Sequence, residues 1–358
     1  MAYIPPTSHA TLLATLRRER LLPAPGEVVA QPGERVEAGD LIARATIADQ
    51  HFILDLVKTL EVPKDKTGAF MVKRDGDAVK KGELIAVRKA LMGIVVLPVP
   101  SPVDGLLLAS GDGKALVAAV SKPFELRAGL PGHVVSKIEG RGVVIETTGA
   151  LLEGVWGNGH EHFSVLRVLG HGPQAALLAE QIELSLRGVI LAVGVLQDDS
   201  AFKQLAEVAV SGLIVGSLKA DLIPAVHQWH IPVMVTDGFG TQGFSTPAYN
   251  LLVGNTGREV WLNAQAWDRF GGARPEAIIP LPSPGQAPAA PPDGQPLEVG
   301  RRIRVVRGAP TGQTGTVVAL SDKAIAFPSG VRGRAATVKV DDAEALAAIP
   351  LANLEILE

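Results

Sequence analysis

The pattern of hydrophobic and polar positions changes along the chain. Up to about residue 170, short apolar runs alternate with turns marked by glycine and proline, which is typical of antiparallel β-structure. From about residue 185, longer apolar runs such as residues 187–195 alternate with amphipathic segments, which predicts βαβ units and a small parallel sheet whose fourth strand is residues 257–264. Residues 280–296 are rich in proline and alanine, and residues 297–358 return to short strands. The pattern therefore predicts several folded regions, the last of them joined by an extended, semi-rigid linker that gives this last domain its own mobility.

The first residues are predicted to form a helical arm over residues 1–25. Ser8 is a candidate N-cap, and Pro23 is a candidate stop. Leu12 and Leu16 lie on the same side of this predicted helix. We expect the helix to dock on its own domain, and a helix on a membrane surface is the alternative.

Two stretches of the chain share one pattern. Residues 26–43 (GEVVAQPGERVEAGDLIA) and residues 69–86 (AFMVKRDGDAVKKGELIA) both contain Gly-x-x-Val-x-x-Gly-x-Leu-Ile-Ala. The glycines reach positive φ at little cost, the valine fills the turn from the core side, and the last three residues start a buried strand. The repeat therefore predicts two tight β corners.

This repeat resembles the hammerhead corner of biotinyl- and lipoyl-carrier domains and their barrel-sandwich hybrid relatives. The likeness covers residues 23–120, where residues 87–92 and 101–105 are similar to the carriers' Glu-Ala-Met-Lys-Met and Ala-Pro-Val-Asp-Gly segments. Met92 stands where the carriers place their modified lysine, and a thioether cannot form the amide that holds biotin or lipoate. The resemblance implies a barrel-sandwich hybrid β domain, expected over residues 26–170, without a covalent cofactor; no other cofactor is expected.

The carboxyl ends of the predicted parallel strands, in an α/β domain over residues 185–275, form the candidate ligand site. Ligands bind outside these ends in open α/β sheets. The loop 236–245 combines glycines with hydroxyl side chains, so its backbone N–H groups are able to cradle an anion. The candidate ligand-binding residues are Lys219, Thr236, Asp237, Gly238, Gly240, Thr241 and Ser245. The alternative is that Asp237 forms a cap or turn and that the glycines let the loop pack against a neighbouring domain.

Motifs for catalysis and metal binding are sparse. The loop matches neither the dinucleotide fingerprint nor the phosphate loop of nucleotide hydrolases, and Gly-x-Ser-x-Gly is absent. His160 and His162 are spaced to share one face of a strand, which makes them a candidate metal pair. The alternative is a glycine-rich turn whose histidines are solvated or satisfied. The sequence favours a protein that is not an enzyme.

Residues 297–358 are predicted to form a small SH3-like β barrel. A strand, a glycine-marked turn and a strand resemble the KOW motif of ribosomal proteins and bacterial transcription elongation factors, with turn glycines at Gly308, Gly312 and Gly315. The resemblance implies a module that contacts RNA or protein. The candidate nucleic-acid contacts are Arg302, Arg304, Arg307, Arg332 and Arg334. Because only Phe327 is suited to base stacking and acidic residues follow, docking to a protein stays open.

Composition narrows the function classes. The absence of cysteine excludes disulfides, thiolate nucleophiles and cysteine-ligated metals. The net charge of -3 gives no overall attraction to nucleic acid, and no apolar run approaches the length of a membrane span, so a cytoplasmic location is expected. We therefore expect a multidomain scaffold or interaction protein with a protein partner, and a homo-oligomer is compatible with the sequence. The alternatives are an RNA- or DNA-associated factor acting through the C-terminal domain, and a small-ligand or phosphate-binding enzyme using the loop 236–245.

Overall fold

The computed structural model describes residues 3–47, 50–90, 94–119, 123–268, 272–282, 285, 287–290, 292, 294–308, 311–341 and 346–357. Within these ranges the chain is mainly β-structure arranged in several sheets, with 46% of residues in strands and 14% in helices. The predicted predominance of β-structure is therefore confirmed, whereas Met92 lies outside the described residues. No helix within the described ranges is both long enough and apolar enough to span a lipid bilayer.

The N-terminal segment is extended, so the helix predicted over residues 1–25 is wrong. Thr7–Ser8 form β1, and Ala10–Leu21 form the long strand β2, which pairs antiparallel with β14 (Gly142–Glu153). Ala14 and Leu16 are fully buried, whereas Thr15 between them is only partly buried and Arg17 is exposed, which is the alternation of a strand. Pairing along β14 satisfies the backbone groups that a helix would have satisfied internally.

The first β module, which we call the outer module, consists of β2 and β14 together with strands from both sides of an insertion. These further strands are β3 (Glu27–Val28), β4 (Arg35–Val36), β5 (Leu41–Thr46), β12 (Pro123–Arg127) and β13 (Gly132–Ile138). The strands β5 and β12 form an antiparallel hairpin, and β4 pairs with β13. Leu16, Ile42, Leu130, Ile145 and Trp261 lie in its core.

A second β module, which we call the inner module, is inserted between β5 and β12. Its elements are β6 (His51–Asp55), α1 (Leu56–Leu60), a 3-10 helix (Lys64–Phe70), β7 (Ala78–Val79), β8 (Leu84–Ala90), β9 (Val95–Pro100), β10 (Gly105–Gly111) and β11 (Lys114–Ala119). Leu56, Leu60, Ile85, Leu107 and Val117 belong to a core separate from that of the outer module. The region predicted as one β domain over residues 26–170 thus contains two modules with two cores.

The two predicted corners, one in each module, share a hydrogen bond at their first glycine, whereas at their second glycine Gly82 has positive φ and Gly39 does not. The N–H of Gly33 donates to the carbonyl of Val134 at 2.7 Å, and the N–H of Gly76 donates to the carbonyl of Leu107 at 2.7 Å. Both glycines have positive φ, of 87° and 92°. The hairpin β5–β12 of the outer module corresponds to β8–β9 of the inner module, so the inner module occupies the tip of the outer hairpin. The corners are confirmed as a structural repeat, but of nested modules.

The next region continues the sheet of the outer module. Its elements are β15 (Trp156–Gly157), β16 (Glu161–Val168), β17 (Ile190–Leu196), α2 (Asp199–Val208), β18 (Gly212–Leu218), α3 (Ile223–Val226), β19 (Val233–Phe239), α4 (Thr246–Gly254), β20 (Glu259–Asn263) and β21 (Glu276–Pro280). Among the described residues these strands share one 11-stranded sheet with β14, β13 and β4, in the order β15-β19-β18-β17-β16-β20-β21-β14-β13-β4 with β2 beside β14. No break between sheets therefore separates residues 26–170 from residues 185–275.

The parallel strands are confirmed at β17, β18 and β19, and β16 joins them in parallel. Their core positions are covered by α2 and α3 on one face and by α4 on the other. The fourth parallel strand predicted over residues 257–264 is wrong, because β20 runs antiparallel to β16. The helix α4 links the end of β19 to the start of β20 at the same edge of the sheet, so no return crossover occurs.

The C-terminal domain is a sheet that the N-terminus completes. Its strands are β22 (Arg302–Val305), β23 (Thr314–Leu320), β24 (Ile325–Ala326), β25 (Arg332–Gly333), β26 (Ala335–Val340), β27 (Leu346–Pro350) and β28 (Leu354–Leu357). In the described part of the chain the main sheet has the open order β1-β28-β22-β23-β26-β27. The predicted strand, glycine turn and strand are confirmed, since β22 pairs with β23 and Gly308 and Gly312 have positive φ. The turn position predicted for Gly315 is wrong, because Gly315 lies within β23 opposite Ile303.

The proline-rich stretch 280–296 lies partly on the outer module. The N–H of Thr15 on β2 donates to the carbonyl of Pro288 at 2.7 Å. The side chain of Ala287 is buried. The described part of this linker is therefore docked on the outer module, and the mobility of the last domain stays a prediction.

Candidate functional site

A cavity of about 930 Å³ lies between the carboxyl end of β19 and the C-terminal domain. Its walls come from residues 3–7, from the ends of β15 and β19, from the segment between β20 and β21, and from the C-terminal domain. This edge of a parallel sheet is where α/β proteins bind ligands, and the volume is that of a small-molecule site. The structure thus places a candidate site at the predicted edge, but displaced toward the C-terminal domain.

The chain itself fills the edge next to β17 and β18. The N–H of Val195 donates to the carbonyl of Ala175 at 3.0 Å, and that of Phe244 donates to the carbonyl of Pro173 at 2.9 Å. A Cβ on Gly243 would lie 1.9 Å from the carbonyl oxygen of Pro173. This glycine therefore permits close packing of the loop 236–245 against residues 173–175, which corresponds to the packing alternative for the loop.

A network of buried charges forms the floor of the cavity. Arg304 and Glu355 are directly opposite each other on β22 and β28, and Arg304 Nη2 donates to Glu355 Oε2 at 2.6 Å. Arg304 Nη1 donates to a carboxylate oxygen of Asp237 at the end of β19. Arg274 Nη1 donates to the other oxygen of Glu355 at 3.3 Å and to Ser8 Oγ at 3.2 Å. The network joins the N-terminus, the large sheet and the C-terminal domain.

Burial and charge act in opposite directions on the pKa values of this network. The side chains of Arg304, Asp237 and Glu355 are each only 3% exposed. Burial alone would lower the pKa of Arg304, but the carboxylates of Asp237 and Glu355 outweigh it and raise that pKa above its ordinary value. Burial alone would raise the pKa of Glu355, but Arg304 and Arg274 outweigh it and lower that pKa. Arg304 and Glu355 therefore hold each other in their charged forms.

Aromatic side chains form the upper walls. The ring of Trp156 meets the rings of His227 and Phe239 edge to face, at centroid distances of 5.3 Å and 6.0 Å. Phe239 is 47% exposed and lines the cavity. The guanidinium of Arg274 lies 4.4 Å from the ring centroid of Trp267. These contacts hold flat apolar surfaces against the cavity, where a planar ligand is able to stack.

Arg307 is the remaining charged side chain among the described lining residues. It lies just after β22 and is exposed. No hydrogen bond or ion pair joins its guanidinium to another described residue. Its charge is therefore directed to the solvent or to a ligand.

The structure places the predicted ligand residues in different environments. Asp237 and Gly238 line the cavity, whereas Thr236 is 2% exposed and donates through Oγ1 to Asp237 Oδ2 at 2.6 Å. Lys219 lies near Asp199 and Asp221, at 3.9 Å and 3.7 Å. Outside the described lining of the cavity are Lys219, Gly240, Thr241 and Ser245. The carbonyl of Gly240 accepts from Gln197 Nε2 and Ser217 Oγ, and Ser245 precedes α4 as its N-cap residue.

The predicted nucleic-acid arginines do not form one surface. Arg304 is buried in the network, and Arg302 forms a two-pronged pair with Asp341 at 2.6 Å. Arg334 Nε donates to the carbonyl of Ser321 at 3.1 Å. Arg307 and Arg332 stay exposed. Arg302 and Arg304 lie on the same face of β22, as the alternation predicts. At Arg304, however, the large sheet covers this face.

The two candidate metal ligands lie on a short stretch before and within β16. His162 is exposed on the strand, and the ring of His160 meets that of His230 edge to face at a centroid distance of 6.0 Å. Among the described residues, no group of three or more histidine or carboxylate side chains is arranged to hold a metal ion.

Several residues of the site were not singled out in the sequence. Trp156, the pair Trp267 and Arg274, and Glu355 come from three segments far apart in the chain, together with Tyr3 from the N-terminus. Burial raises the pKa of the Tyr3 phenol. A hint was available at Glu355, because a charged residue within the apolar run of a short strand indicates a buried partner.

Comparison of the chain with protein-family models and with curated protein sequences finds no match.

Proposed function

We propose that this chain is a non-catalytic binding protein whose β modules act as a scaffold and whose cavity at the C-terminal domain takes a small molecule. The cavity of about 930 Å³ carries this proposal, because it combines buried, fixed charges with aromatic walls at the edge where parallel sheets bind ligands. Arg304, Asp237 and Glu355 have already satisfied one another, so they fix the shape of the floor. This proposal combines two interpretations of the sequence, a scaffold protein and a small-ligand site at the ends of the parallel strands.

The nested modules fit the resemblance to barrel-sandwich hybrid domains, and the C-terminal strand, turn and strand fit the resemblance to the KOW motif. Both assignments are part of the proposal, as is the absence of a covalent cofactor. In this interpretation the C-terminal domain forms one wall of the ligand site, and protein partners would meet the remaining surface of the modules.

Native mass spectrometry of the chain from its own source, followed by the denatured mass of the same sample, tests the proposal. We expect extra mass in the native spectrum that is lost on denaturation. Val306→Trp should abolish it, because Val306 is 36% exposed and lines the cavity. Val318→Trp is the matched control, since Val318 is 44% exposed in the same C-terminal domain and lies outside the described lining. Extra mass that survives denaturation would point instead to a covalent group, and equal loss in both variants would refute the site.

Nucleic-acid binding through the C-terminal domain is the second candidate function, favoured by the exposed guanidinium groups of Arg307 and Arg332. The burial of Arg304 and the pairing of Arg302 weaken it. Removal of residues 281–358 is a poor test, because it would also strip β1 of its partner and open the cavity. Because both side chains are exposed, the double variant Arg307→Ala and Arg332→Ala should leave the fold intact, and RNA or DNA affinity unchanged by it would reject this candidate.

A further inference from the structure

The charges around the cavity do not balance. The described lining residues include the cations Arg274, Arg304 and Arg307 and the anions Asp237 and Glu355. The first two cations are bonded to the two carboxylates, so the excess positive charge resides on Arg307. An exposed guanidinium that lines a partly apolar cavity attracts a carboxylate or phosphate and can bond it through two N–H groups.

Aromatic side chains line the same cavity as this charge. Phe239 and Trp156 support each other edge to face, so the exposed part of Phe239 is held in position. Trp267 is held by Arg274, which the buried network fixes in turn. A flat ring entering the cavity would meet surfaces that need no rearrangement, and pre-organised aromatic surfaces cost little entropy on binding.

We propose that the cavity binds a planar aromatic molecule that carries an anionic group, with the ring against Phe239 and Trp267 and the anion on Arg307. This inference rests on the proposed function and specifies its ligand class. A nucleoside monophosphate has both parts, so it serves as the probe.

Isothermal titration calorimetry of the full chain with adenosine 5′-monophosphate, adenosine and ribose 5-phosphate tests both parts separately. We expect the monophosphate to bind and adenosine to bind about tenfold more weakly, because it lacks the charge-assisted hydrogen bonds to Arg307. We expect ribose 5-phosphate to be weaker by a similar factor, because stacking of the ring is lost. Arg307→Ala should remove the preference for the monophosphate over adenosine. Arg332→Ala, an exposed arginine of the same domain outside the described lining, should leave it unchanged.

Each possible result of the titrations supports or overturns a specific part of the inference. Equal binding of adenosine and the monophosphate would overturn the role of Arg307, and equal binding of ribose 5-phosphate would overturn the role of the rings. If Arg332→Ala lost the preference for the monophosphate as fully as Arg307→Ala, the preference would come from the net charge of the domain and not from Arg307. That result would also overturn the inference. If none of the three probes binds, the ligand class is wrong. The proposed function then stands only if a co-purifying mass is present and Val306→Trp removes it.

Discussion

Arg302 and Arg304 lie two positions apart on β22, and their side chains point to the same side of the sheet. The side chain of Arg302 is 44% exposed and pairs with one partly exposed carboxylate, while that of Arg304 is 3% exposed and bonds two buried ones. Residue type and alternation are the same at both positions. The difference comes from the end of β19, which reaches Arg304 but not Arg302.

Removal of Arg304 should therefore destabilise the protein far more than removal of Arg302. Arg304→Met leaves the carboxylates of Asp237 and Glu355 buried without their main partner, and loss of one member of such a pair costs about 3–5 kcal/mol. Arg302→Met removes a half-exposed pair, which is worth about 0.2–1 kcal/mol. Urea unfolding of both variants measures the two costs. Equal costs would mean that the network contributes no more than a surface pair.

The pH dependence of stability should report on Glu355. Burial opposes its ionisation, but Arg304 and Arg274 dominate and hold its folded-state pKa below the ordinary value of 4.5. A group with a lowered folded-state pKa stabilises the fold fully above the unfolded pKa, and this contribution is lost as the pH falls through the folded pKa. The difference in unfolding free energy between wild type and Glu355→Gln should therefore narrow as the pH is lowered from 7 towards 3.

The control for this titration is Glu207→Gln on the exposed face of α2. Its stability should follow that of wild type at every pH. A difference between wild type and Glu355→Gln that stays constant over the whole range would show that the Glu355 carboxylate is not stabilised by the two arginines.

At the scale of single elements, local pattern predicted the corners, the parallel strands and the C-terminal strand, turn and strand. These succeed because their signals are short-range: glycine at positive φ in the corners, and continuous apolar runs in strands covered on both faces. The N-terminal helix failed because Leu12 and Leu16 fit both periods, and β14, more than a hundred residues later, decides between them. The predicted orientation of β20 was wrong for the same reason, since it depends on the edge of the sheet at which α4 ends and β20 begins.

The corner glycines give a test at this scale. At both Gly33 and Gly39 in this corner, no other atom lies within 4 Å of the position that a Cβ would take. The two differ in backbone conformation, since Gly33 has φ of 87° and Gly39 has no positive φ. Gly33→Ala should cost about 1–2 kcal/mol, because an L-residue is strained in the left-handed region. Gly39→Ala should be neutral or stabilising by about 0.4–1 kcal/mol, because it restricts only the unfolded chain. Thermal unfolding distinguishes the two, and a larger loss in Gly39→Ala would contradict the role of positive φ.

At the scale of the whole molecule, the candidate site was only partly predictable. Asp237 and Gly238 were expected from the rule on strand ends, and both line the cavity. The cavity also needs Tyr3, Arg274 and Glu355, whose proximity depends on the N-terminal strand β1 pairing in parallel with β28 at the other end of the chain. No local signal encodes that pairing, because β1 has only two residues. The nesting of the modules was hidden in the same way, since a repeat in sequence does not reveal which strands close each copy.

The nesting predicts that the inner module can be removed. Thr46 on β5 is paired with Pro123 on β12, so replacing residues 48–122 by a short glycine–serine turn would reconnect neighbouring strands as an ordinary hairpin. The cores of the two modules have no buried residue in common, and the cavity is lined by neither insertion end. We therefore expect the shortened chain to unfold cooperatively, to keep the near-ultraviolet circular dichroism of its buried Trp261, and to retain the ligand affinity of the full chain.

Removal of residues 123–138 is the contrasting variant, because it takes away β12 and β13 of the outer module and should abolish folding. A shortened chain without fixed aromatic packing would show that the outer module depends on the inner one, and the two would then have to be regarded as a single folding unit.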